Sequence, residues 1–583
     1  MVNLNINGKP VEVEDGTTIL DAAKKINIKI PTLCYCADLS AWGSCGVCVI
    51  KNVAPNGAAR MARACTTVCE PNMNIITHDA EINSTRKTVV EMILANHPKD
   101  CLSCARNQNC ELQSVAAEFG IRQSPFAENI NWAPVDASYE EVVFERYKCI
   151  SCGRCVKACQ EMQNVWALEY NNRGDQTIIG PAAGTELGSS PCVRCGQCAS
   201  HCPVGAITTH NPVEKIAKAI QDPEITPVVS IAPSIRSDLG EEFGLPYGSI
   251  TTGKIYTALR MLGFKHVFDT NFAADMTIME EGTELIQRLT KGTGPLPMFT
   301  SCCPAWVDYA EKRYHDMLPH LSTAKSPQAM QGALTKNVWA EEMCIKADKI
   351  FHLSIMPCTA KAWEARRNKD MYTSGAADTD LVITTREFAQ LIKEAGIDFA
   401  NLPESGADSP LGPYSGAGTI FGATGGVMEA ALRTAYALVE GKEMPNPDYM
   451  PARGLEGVKE AALTLGGKEV RIAIIHQLGN VDAVIQKIRG EITAGKEPSY
   501  HFIEIMACRG GCVAGGGQPY GPTDEIRLLR AKALYTDDKD SKVRCSHDNP
   551  LVKEMYSKHL GAPCGEKSHH LLHTHYEKRE LFA

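Results

Sequence analysis

Three separated stretches decide how this chain folds: Thr300-Ser-Cys-Cys-Pro-Ala-Trp306, Met356-Pro-Cys-Thr-Ala-Lys-Ala-Trp-Glu364 and Glu504-Ile-Met-Ala-Cys-Arg-Gly-Gly-Cys-Val-Ala-Gly-Gly-Gly-Gln-Pro519. Each follows an apolar run of strand character, at 297–299, 350–355 and 502–505. Further runs stand at 228–231, 381–383 and 470–475. Strands that alternate with helical segments predict an α/β domain with mainly parallel sheets. Ligands in such folds collect outside the carboxyl ends of the strands. Cys302, Cys303, Cys358 and Cys508 are expected there.

The chain has 583 residues, a formal net charge of −9 and 44% hydrophobic residues. That hydrophobic share is ample for a sizeable core, and the length predicts several domains. The acidic balance argues against a nucleic-acid partner. No stretch approaches an uninterrupted membrane span. The first residues lack the basic and apolar regions of a signal peptide, so a cytoplasmic location is expected. Cysteine is the outlier, with 25 residues. In a cytoplasmic chain that number reads as metal binding, not disulfides.

The upstream cysteines fall into blocks. Residues 1–78 begin with Val2, Leu4 and Ile6 in alternation, the turn pair Asn7-Gly8, then Val11 and Val13. That pattern predicts a hairpin, followed by a short helix capped by Thr17 or Thr18. Cys34, Cys45, Cys48 and Cys65 come next, with Cys36 and Cys69 nearby. Residues 79–125 carry His97, Cys101, Cys104 and Cys110, a set that could hold zinc by ligand count alone. Residues 126–209 hold two C-x2-C-x2-C-x3-C runs: Cys149, Cys152, Cys155 and Cys159, then Cys192, Cys195, Cys198 and Cys202. In such pairs the fourth cysteine of each run crosses to the other cube. One cube is therefore expected on Cys149, Cys152, Cys155 and Cys202, the other on Cys192, Cys195, Cys198 and Cys159.

Together the three downstream motifs resemble the signatures of the [FeFe]-hydrogenases, and the resemblance runs along the whole chain. It implies an α/β catalytic domain over 210–583 behind N-terminal α+β iron–sulfur domains. These are a β-grasp ferredoxin-like domain (1–78), a one-His three-Cys [4Fe–4S] domain (79–125) and a bacterial two-cluster ferredoxin domain (126–209). The implied cofactors are an H-cluster, three accessory [4Fe–4S] clusters and an N-terminal cluster of [2Fe–2S] type. The H-cluster is a [4Fe–4S] cube joined to a di-iron site with CO, CN⁻ and azadithiolate. The first gap, C-x10-C, departs from the plant ferredoxin spacing but matches the N-terminal domains of hydrogenases and of a complex I subunit.

By that resemblance Cys303, Cys358, Cys508 and Cys512 hold the cube, and Cys512 bridges to the di-iron site. Cys302 is left as a proton carrier, with Glu281, Ser322 and Glu284 continuing the path. Glu281 and Glu284 share a helix face if that segment is helical; on periodicity alone they would read as solvated acids. Lys361 is implied as a donor to a cyanide ligand, oriented by Glu364. Met356, Met506, Ala232, Pro233, Ser234 and Gln328 match other pocket positions. Gly416, Gly418 and Gly422 do not form a dinucleotide-binding pattern and read as close backbone packing. Cys36, Cys69, Cys344, Cys545 and Cys564 remain and are expected as buried free thiols. His569, His570, His573 and His575 are expected in an exposed tail.

The implied activity is reversible H2 oxidation and proton reduction, with electrons passing to ferredoxin or ferredoxin-like redox subunits and the di-iron half supplied by maturation proteins. Rivals are an H2-sensing relative with little turnover, a complex I-type electron-transfer subunit and a cluster-assembly relative. The retained Cys302, the three downstream motifs and the intact Pro357-Cys358 with Lys361 argue against them in turn.

Overall fold

The alternation at the start of the chain becomes a hairpin. In the computed structural model, which describes residues 1–582, Val2, Leu4 and Ile6 are buried along the strand Val2–Ile6. Asn7 and Gly8 both take positive φ, 52° and 77°, which matches a type I′ turn. The chain returns antiparallel as Lys9–Val13. Thr18 caps the helix Ile19–Lys25, its hydroxyl accepting from the Asp21 amide at 3.2 Å. The full sheet runs Lys9–Val13, Val2–Ile6, Asn74–Ile76, Val49–Val53, Ala59–Arg63.

The chain divides into two compact units. The first comprises 1–162, 166–190 and 201–208; the second comprises 163–165, 191–200 and 209–583. Beyond its sheet the first unit is short helices and cysteine-bearing loops, with the helices Ala80–Ala95 and Glu111–Glu118 the longest regular pieces downstream. A two-residue ladder pairs Val143–Phe144 with Ile207–Thr208.

The second unit is built on two four-stranded sheets. One is wholly parallel, in the order His266–Asp269, Thr226–Ile231, Ile350–Met356, Leu381–Thr384. The other runs Met298–Phe299, Phe502–Met506, Lys468–His476, Val458–Leu465; its first three strands are parallel and the last is antiparallel. The central strands are almost wholly buried, as parallel strands covered on both faces must be. Each sheet has its own apolar core, around Val229, Ile231 and Leu353 in one and Ile472, Ile474 and Phe502 in the other.

Buried charges fix what surrounds the strand ends. Asp269 ends one strand and caps the helix Thr270–Lys291, accepting from the Asn271 amide at 2.9 Å. Arg236 grips both its oxygens, at 3.0 and 2.9 Å, with both side chains wholly buried. On the strand Phe502–Met506, the buried Glu504 accepts from the Gly425 and Met428 amides at 2.6 and 2.8 Å. Its carboxylate thus sits at the positive end of the helix Gly426–Glu440.

Of the four C-terminal histidines expected in an exposed tail, His573 is instead buried. Leu572 and Thr574 bond to Lys325 and Thr323 through the backbone, both at 2.8 Å. His573 is buried against Glu280 at 3.0 Å. The apolar Leu572 and the buried Glu280 draw the segment inward; His569, His570 and His575 keep their outward exposure.

Arg236→Met leaves the Asp269 carboxylate buried without its cation. It should cost about 3–5 kcal/mol and lower the thermal midpoint of the holoprotein markedly. Arg489→Ala breaks a half-exposed pair with Asp316 and should cost under about 1 kcal/mol. Equal midpoints for the two variants would contradict this account.

Candidate active site

The carboxyl ends of both sheets open onto one cavity, lined by Cys302, Cys303, Cys358, Cys508 and Cys512. Cys303 follows the strand Met298–Phe299 and opens the helix Pro304–Arg313, with Pro304 in its first turn. Cys358 follows Ile350–Met356, and Cys508 follows Phe502–Met506. Ala232, Pro233, Ser234, Gln328, Met356, Met506 and Lys361 line the same cavity. Every pocket residue expected from the sequence is therefore brought to one place.

Burial pushes all the cavity thiols up, and Cys303 adds to the rise at the other four. Cys358 rises to about 12, with Cys303 adding to the effect of burial. Cys508 and Cys512 are raised by burial and then by Cys358 and Cys303. Four convergent soft donors in a dry setting suit a thiolate-bound iron–sulfur group, which would neutralise the charge they gain on deprotonation. A second observation fits such an occupant. The amide oxygen of the buried Gln328 has no hydrogen-bond partner, while its nitrogen donates to the Lys361 carbonyl at 2.9 Å and to Glu364 at 3.2 Å.

Lys361 supplies positive charge beside the sulfurs. Its ammonium contacts Glu364 at 2.8 Å and the Cys302 carbonyl at 3.0 Å. Burial opposes the charge, but Glu364 outweighs it and the pKa is raised. Ser326 donates to Glu364 at 2.7 Å, so the anchor is itself held. Gln518 braces the opposite wall. It donates to Ser234 at 3.0 Å and to the Cys512 carbonyl at 3.2 Å, and accepts from Thr385 at 2.7 Å.

An acid chain leads away from Cys302. Burial keeps that thiol protonated, and the nearby Glu281 carboxylate acts in the same direction. Glu281 is pushed up to about 8, first by burial and then by Glu284 and Glu504. Neither of its oxygens has a hydrogen-bond partner, although Ser301 and Ser322 lie close enough to moderate the rise. Ser322 donates to Glu284 at 2.8 Å. Glu284 also accepts from the Thr323 amide at 3.0 Å and from Arg288 at 2.6 Å. Both glutamates stand on the helix Thr270–Lys291, as their spacing predicts.

Residues 225–516 match the family model "Iron only hydrogenase large subunit, C-terminal domain". Over the whole chain, 44% of residues are identical to the NADP-reducing hydrogenase subunit HndD of Solidesulfovibrio fructosivorans, covering 100% of this chain and 99% of that one. The chain belongs to the iron-only, or [FeFe], hydrogenases. Iron hydrogenase 1 of Clostridium pasteurianum is 41% identical over 99% of this hydrogenase and 100% of its own length. The solved apo [FeFe]-hydrogenase HydA1 from Chlamydomonas reinhardtii matches with a TM-score of 0.55 and 41% identity, covering 63% of this chain and 99% of that one. The enzyme is thus an oxidoreductase acting on H2, with an accessory iron–sulfur relay. Its upstream regions match a 2Fe–2S binding domain (1–80), the iron–sulfur region of NADH-ubiquinone oxidoreductase-G (86–125) and a 4Fe–4S dicluster domain (148–206). Residues 524–579 match the iron hydrogenase small subunit, a division the motifs alone did not reveal.

The accessory cysteines of the hydrogenase gather by block. The Cys45 amide reaches the Cys34 sulfur at 3.5 Å, and the Cys48 and Cys65 sulfurs lie 3.4 Å apart. Cys69 joins the apolar core of that domain, while Cys36 lies beside Asp38 and His201. His97, Cys101, Cys104 and Cys110 line one cavity. Burial drops the His97 imidazole to about 4, and its Nδ1 has no hydrogen-bond partner. A neutral ring with an open nitrogen suits a metal ligand. Cys149 and Cys152 both feel Cys202, as the crossed pairing anticipates. In the second unit Cys195 feels Cys198, Cys192 and Cys508. Cys159 lies in the first unit, where its sulfur accepts from the Ala167 amide at 3.2 Å. Cys344, expected to be buried, is exposed, because it ends a helical segment at the surface.

Gln197 is a functional candidate that the motifs did not single out. It lies between Cys195 and Cys198 and donates to the Cys508 sulfur at 3.3 Å and to the Ala514 carbonyl at 3.1 Å. Beside it, backbones meet without side chains between them. A Cβ on Gly516 would stand 2.3 Å from the Cys195 carbonyl, and one on Gly196 would stand 2.5 Å from Thr359. A polar residue between two ferredoxin cysteines was the available signal, but its target lies far along the chain.

Gln197→Leu removes an N–H···S bond that favours the more negative, reduced cluster. With a cluster assigned to Cys508, as proposed below, its midpoint potential should fall with iron content unchanged, as read by redox titration. An unmoved potential would show that the contact carries no tuning.

Proposed function

We propose that this hydrogenase catalyses H2 ⇌ 2H⁺ + 2e⁻ at an H-cluster held by Cys303, Cys358, Cys508 and Cys512. The observation that carries the assignment is the meeting, in one cavity, of these sulfurs with Lys361 and the start of an acid chain. When bound, the di-iron group supplies heterolytic H2 chemistry. The chain's own residues exclude water, hold the group and move the proton. Lys361, aimed by Glu364, donates to an anionic ligand. Met356, Met506, Ala232, Pro233, Ser234 and Gln328 shape the walls.

Cys302 exchanges a proton through its sulfur. Glu281 takes it up because its raised pKa makes the neutral acid accessible near neutral pH. The Ser322 side chain lies close enough to act on Glu281 and is bonded to Glu284 at 2.8 Å. From Glu284 the proton reaches solvent beside Arg288.

Electrons travel separately. Three accessory [4Fe–4S] clusters are assigned to His97 with Cys101, Cys104 and Cys110; to Cys149, Cys152, Cys155 and Cys202; and to Cys192, Cys195, Cys198 and Cys159. A [2Fe–2S] cluster is assigned to Cys34, Cys45, Cys48 and Cys65. The likeness to a subunit of an NADP-reducing hydrogenase supports electron exchange with redox subunits of a larger complex, ferredoxin-like in kind. No helix among the described residues is long and apolar enough to cross a membrane. Thiols that must stay reduced to hold metal suit a cytoplasmic setting.

The test is anaerobic H2 oxidation with a viologen acceptor after loading of the di-iron group. Fast turnover is expected. Negligible turnover in protein that shows CO and CN⁻ infrared bands would favour an H2 sensor instead. Cys302→Ala and Glu281→Gln should each lower the rate about a hundredfold or more, with iron content and infrared bands retained. Rates close to wild type would remove both residues from the relay.

A further inference from the structure

A second set of metal-binding side chains lies away from the catalytic cavity. Glu443, Cys545, His547 and Asp548 each present one ligand atom, all within 4.8 Å of one another. The set combines a thiol, an imidazole and two carboxylates, the donors that four-coordinate zinc accepts. Tetrahedral zinc holds its ligand atoms roughly 3.3–3.8 Å apart. The His547 Nε2 already lies 2.9 Å from Glu443 and 3.8 Å from Asp548. Glu443 and Asp548 are both half-exposed or more, so their rotation can supply the small contraction needed.

The cluster is organised as a binding site, not as a chance meeting of surface groups. Three donors come from one short loop whose backbone is fixed on every side. The Gly416 amide donates to the Val543 carbonyl at 2.7 Å. Arg544 reaches Asp448 at 2.7 Å. Ser546 and Asn549 both bind the buried Asp275, at 2.7 and 3.0 Å. The imidazole is oriented as ligating histidines are. Its Nδ1 meets the buried Thr434 hydroxyl at 3.0 Å, leaving Nε2 directed at Glu443. Metal-ligating histidines almost always have their far nitrogen held by a protein oxygen or water, and His547 meets that condition. The Cys545 thiol is buried, and burial with the neighbouring Glu443 pushes its pKa up to about 12. Two cations stand near the set: Lys553 touches Asp548 at 3.4 Å, and Arg433, already paired with Glu429 and Asp538, acts on Cys545.

We propose that Glu443, Cys545, His547 and Asp548 form a structural zinc site that staples the two halves of the catalytic unit. Glu443 lies within residues 225–516, which match the large-subunit domain, and the other three lie within 524–579, which match the small subunit. A bound ion here joins a stretch that is small-subunit-like to the end of the Gly426–Glu440 helix. Zinc fits better than calcium or magnesium, because sulfur and imidazole are poor ligands for those hard ions.

The test uses the full-length, cluster-loaded protein, purified anaerobically and equilibrated with zinc against a competing chelator. Zinc and iron are measured per chain by mass spectrometry, and zinc-edge X-ray absorption gives the ligand set. Wild type should hold about one zinc, with a single sulfur at about 2.3 Å. His547→Gln and Glu443→Gln should weaken zinc binding at least about tenfold without loss of iron. If either variant misfolds, shown by lost iron, Asp548→Asn makes the same test at an exposed position. Equal zinc in wild type and variants, no zinc in wild type, or coordination by several sulfurs would each overturn the proposal.

Discussion

Four sulfurs brought together in a dry cavity impose the constraint on which the catalytic unit depends. Burial raises Cys303, Cys358, Cys508 and Cys512 above an ordinary thiol, and Cys303 adds to the rise at the other three. Deprotonated together, they require a cation of matching softness. On the proposed assignment, that partner would enter the folding free energy of the catalytic unit. That requirement accounts for the architecture around them. Parallel strands from two sheets end at the same place, and the chain turns out of each strand with a ligand as its next functional residue.

The charged groups near the cavity are arranged so that only some are neutralised. Glu504 is spent on a helix end, Asp269 on Arg236 and Glu364 on Lys361. Glu281 is the exception, buried with no hydrogen-bond partner for either oxygen. Burial of Glu281 places electrostatic cost at the point where, on the proposed path, a proton must be taken up and released. The same helix carries Glu284, fully engaged by Arg288, Ser322 and Thr323. One helix thus presents a reluctant acid inside and a stabilised one near the surface.

Much of this was legible in the sequence, for identifiable reasons. Strand ends could be read because the buried runs before Cys302, Cys358 and Cys508 are short, apolar and followed by turns. The shared helix face of Glu281 and Glu284 follows from a spacing of three. The Thr18 cap and the Asn7-Gly8 turn are local signals. What escaped were contacts between side chains far apart in sequence. Gln197 and Gln518 look like ordinary polar residues until the fold brings them to Cys508 and Cys512. His573 looked exposed because nothing in the last residues shows that Glu280 waits for it. The partition of the catalytic region at about residue 520 left no mark in the cysteine motifs, because residues 524–579 contribute no ligand to the cavity.

The bare backbone approach of Gly196 to Gly516 has a consequence for current. Gly516 meets the Cys195 carbonyl and Gly196 without a side chain between them, and Cys195 and Cys508 are each assigned above to a cluster. Electron tunnelling falls off exponentially with distance. Even one methyl group on either glycine, clashing with the Cys195 carbonyl or Thr359, would force the two faces apart. On the proposed assignment these two glycines would keep the path for charge short without themselves touching iron, substrate or proton.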